Sequence, residues 1–167
     1  MIKGDKNQQE LVNLHHVNAF PSRIYMIDKP EYLDIIRGVS EKLLRTKKQT
    51  TKINKFYPVM MTDNIYSDSD SNEFNQYILD TAWGILAEEG YDMTNKATVF
   101  SEIWCQEHHK GSGQEPHVHG YGSQLSGFYF LNVPNDYRVS FHDPRLAKVQ
   151  INLPETDITA LTVASNI

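Results

Sequence analysis

Five of the seven histidines in this 167-residue sequence fall between positions 108 and 142: His108, His109, His117, His119 and His142. The sharpest unit is His117-Val-His119. In an extended segment successive side chains alternate faces, so these two rings share one face, about 7 Å apart at the backbone. Both can then reach one metal ion, and imidazole pairs suit Zn, Fe(II), Ni or Cu. The other reading is a pair of polar residues at a loop-to-strand junction. A lone H-x-H spacing leaves both open.

The surroundings favour the first. Gly111 stands six residues before His117, Pro116 immediately precedes it, and Gln124 and Gly127 follow. Gly111-Ser-Gly113 is a turn able to deliver the pair to the mouth of a barrel. The histidines lead into Ser126-Gly-Phe-Tyr-Phe-Leu-Asn132, an uncharged strand of the kind expected beside a buried site. From Trp104 through Gly111, Pro116-His-Val-His119 and Leu125-Ser-Gly-Phe-Tyr-Phe-Leu131 to Phe141-His-Asp-Pro-Arg145, the chain resembles the core of a 2-oxoglutarate/Fe(II) oxygenase family found in bacteria and marine phages. That family carries a G…H-x-H…S-G-x-Y-Y-L…D-P-R series. The likeness is dense over this stretch and looser upstream, where strand, helix, linker and helix follow the family's order.

The resemblance implies a double-stranded β-helix, a cupin-type jelly roll, and Fe(II) with 2-oxoglutarate as cosubstrate. In the wider superfamily His-x-Asp/Glu and a distal His hold iron and leave positions open. His117 matches the first histidine, and His119 stands where the superfamily usually has its carboxylate. The resemblance sets Ser126 and Tyr129 as cofactor-binding residues against 2-oxoglutarate. It also implies a distal histidine and, beyond it, a basic residue for the 2-oxoglutarate carboxylate. No histidine follows His142, and Lys148 is the only basic residue from Ala147 to Ile167. His142, Arg138 and Arg145 are the substitutes at hand, although the resemblance gives His142 no ligand role and makes Asp143-Pro-Arg145 a turn. The expectation is an N-terminal piece of a longer protein, or a decayed copy, with an incomplete barrel and little 2-oxoglutarate turnover of its own.

The elements that must position these residues divide at Gly90. Phe20 to Ile27 alternates as a strand would. Asp28-Lys-Pro-Glu31 reads as a helix start, with Asp28 as N-cap, Pro30 in the first turn and Glu31 at the capping-box position. Tyr32, Ile35, Ile36, Val39 and Leu43 keep the helical period, predicting a helix over Pro30–Leu44. A polar connector holds a short strand at Tyr57–Met61. Asp70-Ser-Asn-Glu73 repeats the capping-box pattern, with Asp70 as cap, and opens a second helix, Ser71–Glu88, which stops before Gly90. Residues 97–106, 124–133, 137–141 and 158–164 are strand-like. The fold class expected is α+β in one domain, with 1–95 as helical support and 96–167 as a truncated jelly-roll core.

Composition bounds the rest. Aromatics at 11% and charged residues at 22% fit a globular chain rather than a disordered one. A net charge of −5 argues against nucleic-acid binding driven by bulk charge. No signal peptide or membrane span is read, so a cytoplasmic location is expected, in a host cell if phage-encoded. The partner expected is a small-molecule or peptide substrate, with an oligomer left open. Cys105 reads as a small core hydrophobe, His15-His16 as solvated, and His108-His109 as surface residues. Asp63, Asp68 and Asp70 lack the Gly and Glu of a calcium loop. Beside the dioxygenase stand two alternatives: a cupin-like metal or small-ligand binding protein, which Gly111-x5-His117-x-His119-x4-Gln124 half matches, and a non-catalytic interaction domain.

Overall fold

The computed structural model describes residues 22–120, 122–134 and 139–141. The expected ligand substitutes His142, Arg138 and Arg145, the Asp143-Pro-Arg145 turn, His15-His16 and the strand at 158–164 lie outside them. The chain divides into two compact units, Met1–Pro30 and Glu31–Ile167. In the first, residues 22–27 form no strand, although their sequence alternates; Ile24, Met26 and Ile27 are all exposed. Alternation alone does not make a strand without a partner to take its backbone groups.

A 3-10 turn, Pro30–Tyr32, runs into α1, Leu33–Thr50. Asp28 is therefore not the cap; Tyr32 is, and it makes no side-chain cap bond. α1 also runs six residues beyond the expected Leu44. No Gly or Pro interrupts the sequence there, and Lys47 and Lys48 sit in its last turn, where cations suit the helix dipole. Its buried stripe is Ile36, Val39, Ser40 and Leu44.

After the linker comes β1, Val59–Met61, shorter than expected by two residues. Two further 3-10 turns, Ile65–Ser67 and Ser69–Ser71, lead into α2, Asn72–Glu88. The capping expected of Asp70 comes from Asp68, whose carboxylate accepts from the Asp70 backbone N–H at 3.1 Å. Ser71, at the cap position, turns its hydroxyl inward instead: Oγ lies 2.7 Å from the Asp68 carbonyl and 2.9 Å from that of Ile65, and accepts from Asn75 Nδ2 at 2.7 Å. α2 ends as its glycine predicts. Gly90 takes φ +95°, and the N–H groups of Tyr91 and Gly90 return to the carbonyls of Leu86 and Ala87.

Regular strand pairing among the described residues is confined to β1 and β2, Gln106–His108, which are antiparallel with Val59 opposite His108 and Met60 opposite Glu107. The strand expected over 97–106 is thus displaced: only Gln106 falls within β2, and 97–105 carry no ladder. The residues before β2 still run beside those after β1: Thr62 N–H donates to the Cys105 carbonyl and Ile65 N–H to that of Ile103. The return bonds, however, go to side chains, with Cys105 N–H on Thr62 Oγ1 and Ile103 N–H on Asn64 Oδ1. Side-chain oxygens that substitute for backbone carbonyls break a ladder in this way. Residues 124–133 and 139–141 likewise carry no ladder. Alternation survives locally, since the Phe128 and Phe130 rings stack at 6.2 Å, both exposed.

The core lies where α1, β1, the Ser69–Ser71 turn and α2 meet: Ile36, Val39, Leu44, Met60, Ile65, Phe74 and Leu86 are buried. Each such side chain withdrawn from water contributes about 1.5–3 kcal/mol. Among the described residues no helix is long and apolar enough to cross a membrane.

Candidate functional site

β2 and the loop after it carry every described histidine. Along β2 and its flanks, Cys105, Glu107 and His109 alternate onto one face of the ribbon, with Gln106 and His108 on the other. The first face meets α1. Glu107 lies within reach of Lys48, with Nζ 2.7 Å from Oε1 and 2.8 Å from Oε2, and His109 Nε2 stands 2.8 Å from the same Oε1. The Lys48 side chain makes the hydrogen bond; the His109 contact has ion-pair distance without hydrogen-bond alignment. Cys105 is half-buried beside the Ser40 hydroxyl. Burial pushes its thiol above the usual range, the Glu107 charge adds to that, and Ser40 opposes it. A thiol so held is a poor nucleophile, although Cys105, expected in the core, is only half-buried.

On the other face His108 is also half-buried, with Nδ1 3.2 Å from Ser112 Oγ and Nε2 3.3 Å from Gln106 Oε1. His108 and His109, expected at the surface, are both half-buried. Strand alternation sends one ring to the helix and the other to the loop, and each finds polar partners.

The loop itself is shaped by a tight reversal. Ser112 N–H donates to the His109 carbonyl at 2.9 Å, and Gly111 takes φ +80°, a conformation that suits glycine. Beyond it, the Tyr57 hydroxyl hydrogen-bonds Gln114 Oε1. His117 and His119 follow on loop backbone. Their ring centres are 5.4 Å apart with planes at 53°, and the intervening Val118 is 92% exposed. The two rings thus come together as the spacing predicts. Both, however, are exposed rather than turned into a barrel.

The pair can be tested against a metal. A nitrogen ligand sits about 2.0–2.1 Å from Zn, and the ring centre about 1.1 Å further out, so two imidazoles on one ion have centres about 4.5–5.3 Å apart. The observed separation is close to that. His117 Nδ1 donates to the Glu115 carbonyl at 2.9 Å, which leaves Nε2 as the lone-pair nitrogen of the neutral ring. A hydrogen bond to one imidazole nitrogen is the usual way in which the other is made ready for a metal. Among the described residues no group of three or more His, Cys, Asp and Glu side chains is placed to hold an ion. The ring separation allows two ligands on one ion; among the described residues no third stands with them.

The two residues set against 2-oxoglutarate go separate ways. Ser126 is exposed. Tyr129 packs its ring on Phe74 of α2 at 4.8 Å, and Phe74 in turn meets Tyr32 edge-on at 5.5 Å. Burial and the nearby Glu31 push the Tyr129 phenol up, against the pull of Arg37. Arg37 also donates to the Leu131 carbonyl at 3.1 Å, tying this segment to α1.

No family profile, characterised protein or solved structure matches the chain. The oxygenase likeness therefore rests on the residues that carry it. Tyr57, Gln114 and Glu107 escape a reading of the sequence, because each acquires its partner from a distant segment. Only the alternation of Cys105, Glu107 and His109 gave a local sign that a carboxylate lies on the same face as a thiol and an imidazole.

Proposed function

We propose that His117 and His119 are two ligands of a divalent transition-metal centre, and that the chain belongs to a 2-oxoglutarate-dependent Fe(II) dioxygenase with a jelly-roll fold. The observation that carries the first part is the approach of the two rings to 5.4 Å, with His117 Nδ1 already engaged by the Glu115 carbonyl. The second part draws its support from the ordered likeness between Trp104 and Arg145. When bound, Fe(II) with 2-oxoglutarate would supply oxidation of a substrate C–H bond by O2, one oxygen atom going to the hydroxylated product and the other to succinate as the cosubstrate loses CO2. The chain's own residues orient the ligating nitrogens: the Glu115 carbonyl fixes the His117 tautomer, and the Gly111 reversal returns the loop toward β1.

Exposure of both rings favours a second reading, a cupin-like protein that binds a metal or small ligand, because an oxidising centre has to be screened from water. Titration with Co(II) tests the site, and 2-oxoglutarate separates the readings. Binding should be weak and should be lost in His117→Ala; equal affinity in parent and variant overturns the metal site. Under the dioxygenase reading 2-oxoglutarate tightens Co(II) binding, by linkage of two ligands at one centre. Unchanged Co(II) affinity in its presence favours the cupin-like reading.

A further inference from the structure

We infer that Tyr57 is a positioning residue for the His117–His119 pair and acts through Gln114. The inference rests on the proposed metal site. Tyr57 stands two residues before β1 and is held firmly there. Its carbonyl accepts from Val59 N–H at 2.8 Å, and the next residue, Pro58, accepts from His109 N–H at 3.1 Å, which extends the β1–β2 pairing by one bond. The tyrosine is partly exposed, and its hydroxyl reaches across to Gln114 Oε1.

Gln114 directly precedes Glu115, whose carbonyl takes the His117 Nδ1 proton. The clasp therefore acts one peptide bond before the group that selects the His117 tautomer. Residues 113–120 are all exposed, so little packing holds this stretch of loop. Its position is set by polar ties: Ser112 to His109 and His108 near the turn, and Tyr57 to Gln114 beside the histidines. Removing the tie nearest the pair should let the Glu115 carbonyl rotate and His117 exchange tautomers.

Tyr57→Phe deletes one oxygen from a partly exposed ring and should leave the fold intact. Two readouts decide the inference. In the metal-free chain at about pH 8, where imidazole is neutral, the 15N shifts of His117 should report the Nδ1–H form in the parent and a move toward the Nε2–H form in Tyr57→Phe. In Co(II) titrations Tyr57→Phe and Gln114→Ala should each weaken binding about tenfold, and the double variant should be no weaker than either alone. Unchanged His117 shifts in Tyr57→Phe overturn the clasp, as does additive weakening in the double variant. If His117→Ala leaves Co(II) affinity unchanged, the metal site fails instead, and the tautomer readout alone decides the role of Tyr57.

Discussion

Lys42 Nζ lies 2.7 Å from Asp68 Oδ2, with the lysine side chain largely in solvent and the aspartate side chain only 7% exposed. The same carboxylate accepts from the Asp70 N–H, so one buried group ties α1 to the turn that starts α2. The Lys42 hydrogen bond, then the Asp70 N–H, hold Asp68 below the usual carboxylate range, while Asp68 holds Lys42 above the usual lysine range.

The sign of the pH dependence follows. A lowered carboxylate contributes stability that is fully present above its unfolded value and is lost as pH falls through its lower folded value. Asp68→Asn should therefore be less stable than the parent at neutral pH, with the difference shrinking as the solution is acidified below the ordinary aspartate range. Urea midpoints across that range check this; a gap that stays constant with pH would assign the loss to packing rather than charge. Lys42 behaves oppositely: its share is present below the ordinary lysine value and is lost only as pH rises through a still higher one.

Ser71→Ala tests the buried turn. The hydroxyl is fully buried, and it is the acceptor for Asn75 Nδ2. Its loss leaves a buried amide donor without a partner, at a cost of about 1–3 kcal/mol. Denaturant unfolding should show that loss, and Ser71→Ala/Asn75→Leu should recover part of it; a neutral single variant would mean that Asn75 finds another acceptor.

Phe74→Ala removes the ring between Tyr32 and Tyr129 and should cost about 3–5 kcal/mol. Fluorescence should also report Tyr129 becoming more exposed to quenchers. A loss under about 1 kcal/mol would show that the 124–133 segment does not depend on α2.

Gly90→Ala isolates a backbone effect. No atom lies within 4 Å of a Cβ built there, so the cost comes from φ +95° alone, about 1 kcal/mol. Thermal unfolding measures it, and an unchanged midpoint would argue against the left-handed cap.

Succinate release with Fe(II), ascorbate and 2-oxoglutarate tests the dioxygenase proposal directly. With two ligands from His117 and His119, this chain should turn over little of the cosubstrate. Robust turnover, abolished by His142→Ala, would show that residues beyond the described part complete the centre.

The local code of this sequence is helical. The 3.6-residue period at Ile36, Val39 and Leu43, and the stop at Gly90, suffice to locate α1 and α2, because their hydrogen bonds close within four residues. The closeness of His117 and His119 is equally local: only Val118 lies between them. Strands are another matter, since a strand exists only where another segment takes up its backbone groups. Residues 22–27 and 124–133 have strand-like alternation and no ladder, while Thr62 and Asn64 lend side-chain oxygens where backbone carbonyls were expected. The Lys48–Glu107, Lys42–Asp68 and Tyr57–Gln114 ties span 26 to 59 residues, and no periodicity encodes them. Tertiary structure alone chose these partners, because a polar group leaving water takes whichever partner the packing of α1 against the β1–β2 ribbon brings within reach.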